Sequence, residues 1–160
     1  MIIWKKFIKW QYNILFPKEE TTEEIRPEIK GEITINKAFN LMKEYCDPSK
    51  IFLSDSSYSV TTITEGKKYN ETTGVADLKF ITDTRDCDNF SFALHYYWNK
   101  GLESFATGIA WSNSHAFNIG IFKEKEKLQI YVIEPQSNKW FKIEDLKDIK
   151  LYYPIRVIVM

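Results

Sequence analysis

Cysteine and histidine are scarce in this chain, two of each among 160 residues. Two cysteines in different settings make no disulfide framework, so a reducing compartment is the expectation. An excess of charge of one sign is missing too. The 22 acidic and 22 basic side chains cancel, which removes the electrostatic case for nucleic acid as a partner. No apolar run is long enough to span a membrane. There is no internal repeat and no low-complexity segment. What remains is the length of one domain with a sizeable core. Aromatic residues are plentiful at 16%, which implies a well-packed interior or a sticky surface.

In residues 1–16, Ile3, Trp4, Phe7, Ile8, Leu15 and Phe16 are interspersed with Lys5, Lys6 and Lys9. That pattern describes an amphipathic helix with a basic face. The lysines interrupt the apolar run that a signal peptide needs, so none is expected. The helix either meets a membrane surface or protein partner or packs on its own domain. Pro17 ends it, and residues 18–31 read as a charged linker. A second helix is expected from Asn36, as cap, to Tyr45. Cys46 lies at the negative end of that helix, where a thiolate is disfavoured, and reads as structural. A short strand is expected at Ile51–Leu53. Residues 54–74 are Ser/Thr-rich and turn-like, the composition of a substrate-facing loop.

The organising stretch is Asp86-Cys87-Asp88-Asn89-Phe90. Asp86 is a natural N-cap, with Asp88 and Asn89 in the first turn. Phe90, Ala93, Leu94, Tyr97 and Trp98 follow at the spacing of a helix that buries one face, and Gly101 is a stop. Cys87 falls on that buried face at the positive pole, where a thiol's pKa is lowered and an anion can be received. A lone cysteine can equally be there only to pack.

After Gly101 the period changes. Residues 105–111, 115–122, 128–134 and 152–159 read as strands, with Lys123–Lys127 as a charged turn. A hairpin centred near Glu124 and Lys125 brings His115 opposite Glu134 or its neighbour, on one face of the pair. His95 is spaced with the surface residues of its helix, and Asn118 has the opposite parity from His115. Cys87, His115 and Glu134 therefore form a candidate nucleophile, base and orienting carboxylate. His115 would take the thiol proton and later protonate a leaving amine. Backbone N–H groups at the helix start would stabilise an oxyanion. Trp111 and Trp140 flank these segments, either lining a cleft or packing in the core.

Asp86-Cys87-Asp88-Asn89-Phe90, His115-Ala116-Phe117-Asn118 and Glu134-Pro135-Gln136 resemble the papain-like domain at the C-terminus of the Marasmius oreades mushroom agglutinin. Small phage and bacterial domains share the pattern. The resemblance covers roughly residues 50–140. It implies an α+β, papain-like fold, with the cysteine-bearing helix packed on an antiparallel sheet. Residues 1–31 would then be an N-terminal helix and linker, and 32–160 the catalytic domain. It further implies a calcium-dependent cysteine protease, with Asp86, Asp88 and Gln136 as candidate metal contacts. Gln136 stays divided between metal and oxyanion roles. No Gln occurs in residues 75–86, where papain-type enzymes carry their oxyanion glutamine.

The expectation is thus a cysteine hydrolase, a peptidase acting through a thioester acyl-enzyme on protein or peptide substrates. Two alternatives stand beside it. One is transglutaminase-like acyl transfer. The other is a non-catalytic phage or virion-associated protein that keeps the fold and binds a partner through its aromatic surface. Lys-, Ile- and Asn-rich usage points to an AT-rich bacterial or phage genome, and with no signal peptide expected the location is a bacterial host's cytoplasm or a phage particle.

Overall fold

The apolar alternation of the C-terminal half builds a six-stranded sheet in the computed structural model of the protein, which describes residues 25–82 and 84–160. The helix expected over residues 1–16 lies outside the described residues. The strands are β1 (Gly31–Thr34), β2 (Ile51–Phe52), β3 (Ser57–Val60), β4 (Thr107–Trp111), β5 (Ala116–Glu124), β6 (Lys127–Glu134), β7 (Lys139–Lys142) and β8 (Val157–Val159). Among the described residues three helices accompany them: α1 (Ile35–Met42), α2 (Ile63–Thr72) and α3 (Cys87–Asn99). The large sheet runs β2-β8-β4-β5-β6-β7, antiparallel except for the β2–β8 pair, and β1 and β3 form a separate ladder. The α+β class is as the sequence indicates.

The β5–β6 ladder sorts the core. Phe117, Ile119, Ile121, Ile130 and Val132 face one cluster, together with Ala38 and Met42 of α1. Phe122, Tyr131 and Ile133 face the other, where Phe90, Leu94 and Trp98 of α3 pack. The hairpin closes at Lys125 and Glu126, both at positive φ (47° and 65°), the backbone of a two-residue turn that matches the strands' twist. Glu124 pairs with Lys127, so the turn is centred one residue later than its charge pattern indicates. Such a shift moves the register by two and leaves every side chain on its expected face.

Two regions depart from the sequence reading. Residues 54–74 are not a loop: they hold β3 and α2. The serines and threonines that suggest a loop are working as strand residues and as a cap, with Thr62 Oγ1 accepting from Glu65 N at 3.2 Å. Gly66 lets α2 lie close to Phe122 and Trp140, where a Cβ would come within 2.9 and 3.2 Å of the rings. Trp140 belongs to the core, 5.0 Å from Phe122 ring to ring. The second departure is in the linker. Arg26 donates to Tyr97 O at 2.8 Å and Trp98 O at 3.2 Å, satisfying carbonyls at the negative end of α3. Cys46 is buried, and burial pushes its thiol up, in keeping with a structural role. No helix among the described residues is long and apolar enough to cross a membrane.

Gly108 of β4 sits where a methyl group would run into Val159 O of β8. Backbone cannot yield as a side-chain tip can, so Gly108→Ala is expected to cost about 2 kcal/mol or more. Urea unfolding measures this, and a variant as stable as the wild type would contradict the close β4–β8 approach.

Candidate functional site

Asp86 precedes α3 as its cap residue, and its N–H donates to Asn89 Oδ1 at 3.2 Å. Asp88 Oδ1 accepts from Asn89 N at 2.8 Å. Cys87 opens the helix and is partly exposed. Its carbonyl accepts from Ser91 Oγ at 2.9 Å, and its helix is pinned to the sheet by Asn118, whose Nδ2 donates to Ser91 O at 2.9 Å and Gly108 O at 3.2 Å. Asn118 thus faces α3 and is structural, as its parity predicts.

His115 and Glu134 meet: Nε2 lies 2.6 Å from Oε2, and both side chains are 11% exposed. The last pair of the ladder, Asn118 with Ile133, puts Glu134 level with Phe117 one step on, so His115 and Glu134 are diagonal neighbours on one face. The carboxylate has two further donors, Gln136 N to Oε1 at 3.3 Å and the Tyr152 hydroxyl to Oε2 at 3.0 Å. Burial pushes the Glu134 carboxyl up. The His115 hydrogen bond and charge, the Gln136 N–H and the Tyr152 hydroxyl outweigh it and hold the group below the usual carboxylate range. Burial, and then the charge of Glu134, pushes the Tyr152 phenol upward. Tyr152 was expected inside a long final strand. The strand is only Val157–Val159, and nothing in the alternation of residues 152–159 distinguishes a tyrosine that leaves the sheet to bond a carboxylate.

Cys87, the third member of the expected set, opens α3. His115 stacks on Phe117 at 6.1 Å, a residue of the cluster that α1 completes, whereas α3 packs on the other cluster. No hydrogen bond joins the thiol to the imidazole among the described residues. Of the three candidate metal contacts, Asp86 precedes α3 as its cap residue. Asp88 is used within the first turn of α3, Gln136 turns a donor N–H toward Glu134, and no group of three or more Asp, Glu, His or Cys side chains gathers among the described residues. Hard cations need several oxygen ligands at one point.

α3 also turns aromatic side chains to solvent. Phe92 is 53% and Tyr96 63% exposed, and Trp111 leans on Phe92 with ring centroids 6.2 Å apart. His95, expected at the surface, is half-buried, and burial holds its pKa down.

No family model and no curated protein matches the sequence. Solved structures do match in fold. One, titled "PSL1a-E64 complex", superposes with a TM-score of 0.65 at 17% identity, over 81% of this chain and 51% of that one. Another is the Polyporus squamosus lectin bound to the human-type influenza-binding epitope Neu5Acα2-6Galβ1-4GlcNAc, with a TM-score of 0.55 at 18% identity, over 69% and 42%. The chain therefore spans about half the length of these structures, and at such identity the likeness is one of fold. The resemblance to a fungal agglutinin is met at that level. The expectation of a cysteine hydrolase, with its hydrolase, cysteine-protease and thiol-protease assignments, is corrected. A structure that shares the fold is a lectin with a glycan bound, a binding protein, and here the thiol is not hydrogen-bonded to the histidine.

A carboxyl held down in the folded state stabilises above its unfolded pKa, about 4.3 for Glu, and that contribution is lost as pH falls through the folded value. The wild type is expected to lose stability on acidification below this point. Glu134→Gln should flatten that acid limb and cost about 1–3 kcal/mol at neutral pH. An unchanged acid limb in urea unfolding of the variant would remove Glu134 from the account.

Proposed function

We propose that this chain is a binding protein that takes a glycan on the aromatic ledge of Phe92, Tyr96 and Trp111. The observation that carries the reading is the exposure of Phe92 and Tyr96, one turn apart on α3, with Trp111 packed beside Phe92. Rings left in water are costly, and clustered ones mark contact surfaces. A sugar offers a C–H face to such rings and hydroxyls to a polar rim, and the Tyr96 hydroxyl supplies one polar handle. The fold shared with the Polyporus squamosus lectin supports this ligand class. The bacterial or phage setting rests on residue usage.

The test is an NMR titration with Neu5Acα2-6Galβ1-4GlcNAc, the glycan of that lectin structure, followed by a glycan panel. Resonances of the three rings should shift, and Trp111→Ala should weaken binding roughly tenfold, ~1.4 kcal/mol. A panel that leaves these rings unperturbed sinks the proposal.

A second reading is favoured by the 2.6 Å His115–Glu134 bond: we infer that the pair serves thiol chemistry, the role of an enzyme. In this reading Cys87 is the nucleophile, His115 takes its proton and Glu134 orients the ring. Peptide hydrolysis is not part of it. Alkylation by iodoacetamide from pH 4 to 9, with Cys46 as internal control, tests it. Cys87 should react fast below pH 7, slow in His115→Ala, and be protected by E64, the compound of the PSL1a complex. Repeating the runs with calcium and with a chelator tests the calcium expectation. A Cys87 that reacts like an ordinary thiol, with a pKa near 8.5, removes this reading and leaves the first standing.

A further inference from the structure

The segment before β8 reaches the His115–Glu134 pair at two adjacent residues. The Tyr152 hydroxyl donates to the same Glu134 oxygen that faces His115, at 3.0 Å. Leu151 O accepts from Ser112 Oγ at 2.6 Å. That hydroxyl oxygen in turn accepts the backbone N–H of His115 at 3.2 Å. One short stretch of chain thus grips both the backbone of the histidine and the carboxylate that bonds its ring. Tyr152 also lies edge-on to the imidazole, at 5.6 Å and 69°, and is buried.

We infer that Tyr152 is a positioning residue for His115, acting through Glu134, with Leu151 of the same segment holding the histidine's backbone through Ser112. The argument is one of donors. Glu134 Oε1 takes the Gln136 N–H, and Oε2 takes the Tyr152 hydroxyl and His115. A carboxylate so surrounded is fixed in place and is an acceptor toward the ring, so Nε2 carries the proton. Nδ1, which has no hydrogen-bond partner among the described residues, is left as the acceptor. The Tyr152 hydroxyl also draws charge from Oε2, which limits how strongly Glu134 stabilises the imidazolium. The titratable groups facing the ring are Glu134 from β6 and Tyr152 from the C-terminal segment, with Phe117 stacked on it. Arg156, on the same segment as Tyr152, is engaged by Asn113 Oδ1 at 2.7 Å. This inference goes beyond the aromatic ledge and needs no ligand for its test.

The experiment is a ¹⁵N NMR titration of the His115 ring in the full chain, comparing wild type with Tyr152→Phe. The wild type should show the Nε2–H tautomer when neutral. Tyr152→Phe should raise the His115 midpoint by about half a pH unit or more, because Glu134 recovers the charge that the phenol withdrew. Site-specific 3-fluorotyrosine at position 152 supplies a stronger donor and should lower the midpoint by ~0.3. A residue that merely packs would not give shifts of opposite sign. An unchanged midpoint in a folded Tyr152→Phe overturns the inference. If that variant does not fold, an unchanged midpoint with fluorotyrosine overturns it.

Discussion

The two-residue period of the β5–β6 hairpin is the constraint on which the rest depends. Each side chain on these strands must go to one face or the other, and the chain uses both faces. Phe117, Ile119, Ile121, Ile130 and Val132 build the cluster that α1 completes, while Phe122, Tyr131 and Ile133 build the one that α3 completes. A sheet buried on both sides cannot slip by a single residue without exchanging its two cores. The same parity delivers His115 and Glu134 to one face and Asn118 to the other. The site and the packing are therefore outcomes of one register.

Polar groups inside this frame act as pins. Asn118 is 2% exposed and joins the first turns of α3 to β4 through two carbonyls. Such bonds are strong in a low-dielectric interior and costly to leave half-made, so they fix where the mouth of α3 sits along the sheet. Arg26 does comparable work at the other end of the helix, where it meets the carbonyls of Tyr97 and Trp98. Gly101 leaves room for it, since a Cβ there would come within 2.7 Å of the guanidinium. With both ends of α3 held, the face bearing Phe92 and Tyr96 is presented to solvent in a fixed orientation.

The site divides along the sheet. On one face, His115 and Glu134 are enclosed by Phe117 and Tyr152 and satisfied by short hydrogen bonds. On the other packs α3. The ledge rises from the same helix that Cys87 opens, and no hydrogen bond joins the thiol to the imidazole among the described residues.

By itself the sequence determined whatever rests on local period and local chemistry. That includes α3 with Asp86 before it, the charged hairpin turn, the structural Cys46, and the shared face of His115 and Glu134. Those follow from backbone geometry within one or two elements, where a 3.6 or a 2.0 period is decisive. Tertiary structure alone decided the rest. It turned the Ser/Thr-rich stretch into β3 and α2, because packing against Phe122 and Trp140 overrides weak propensity. It made Arg26 a helix-end donor, drew Tyr152 out of a strand pattern to Glu134, and set α3 on the cluster of Phe122, Tyr131 and Ile133. Each of these joins residues far apart in the chain, and no periodicity within a segment carries information about which face of which neighbour that segment will meet.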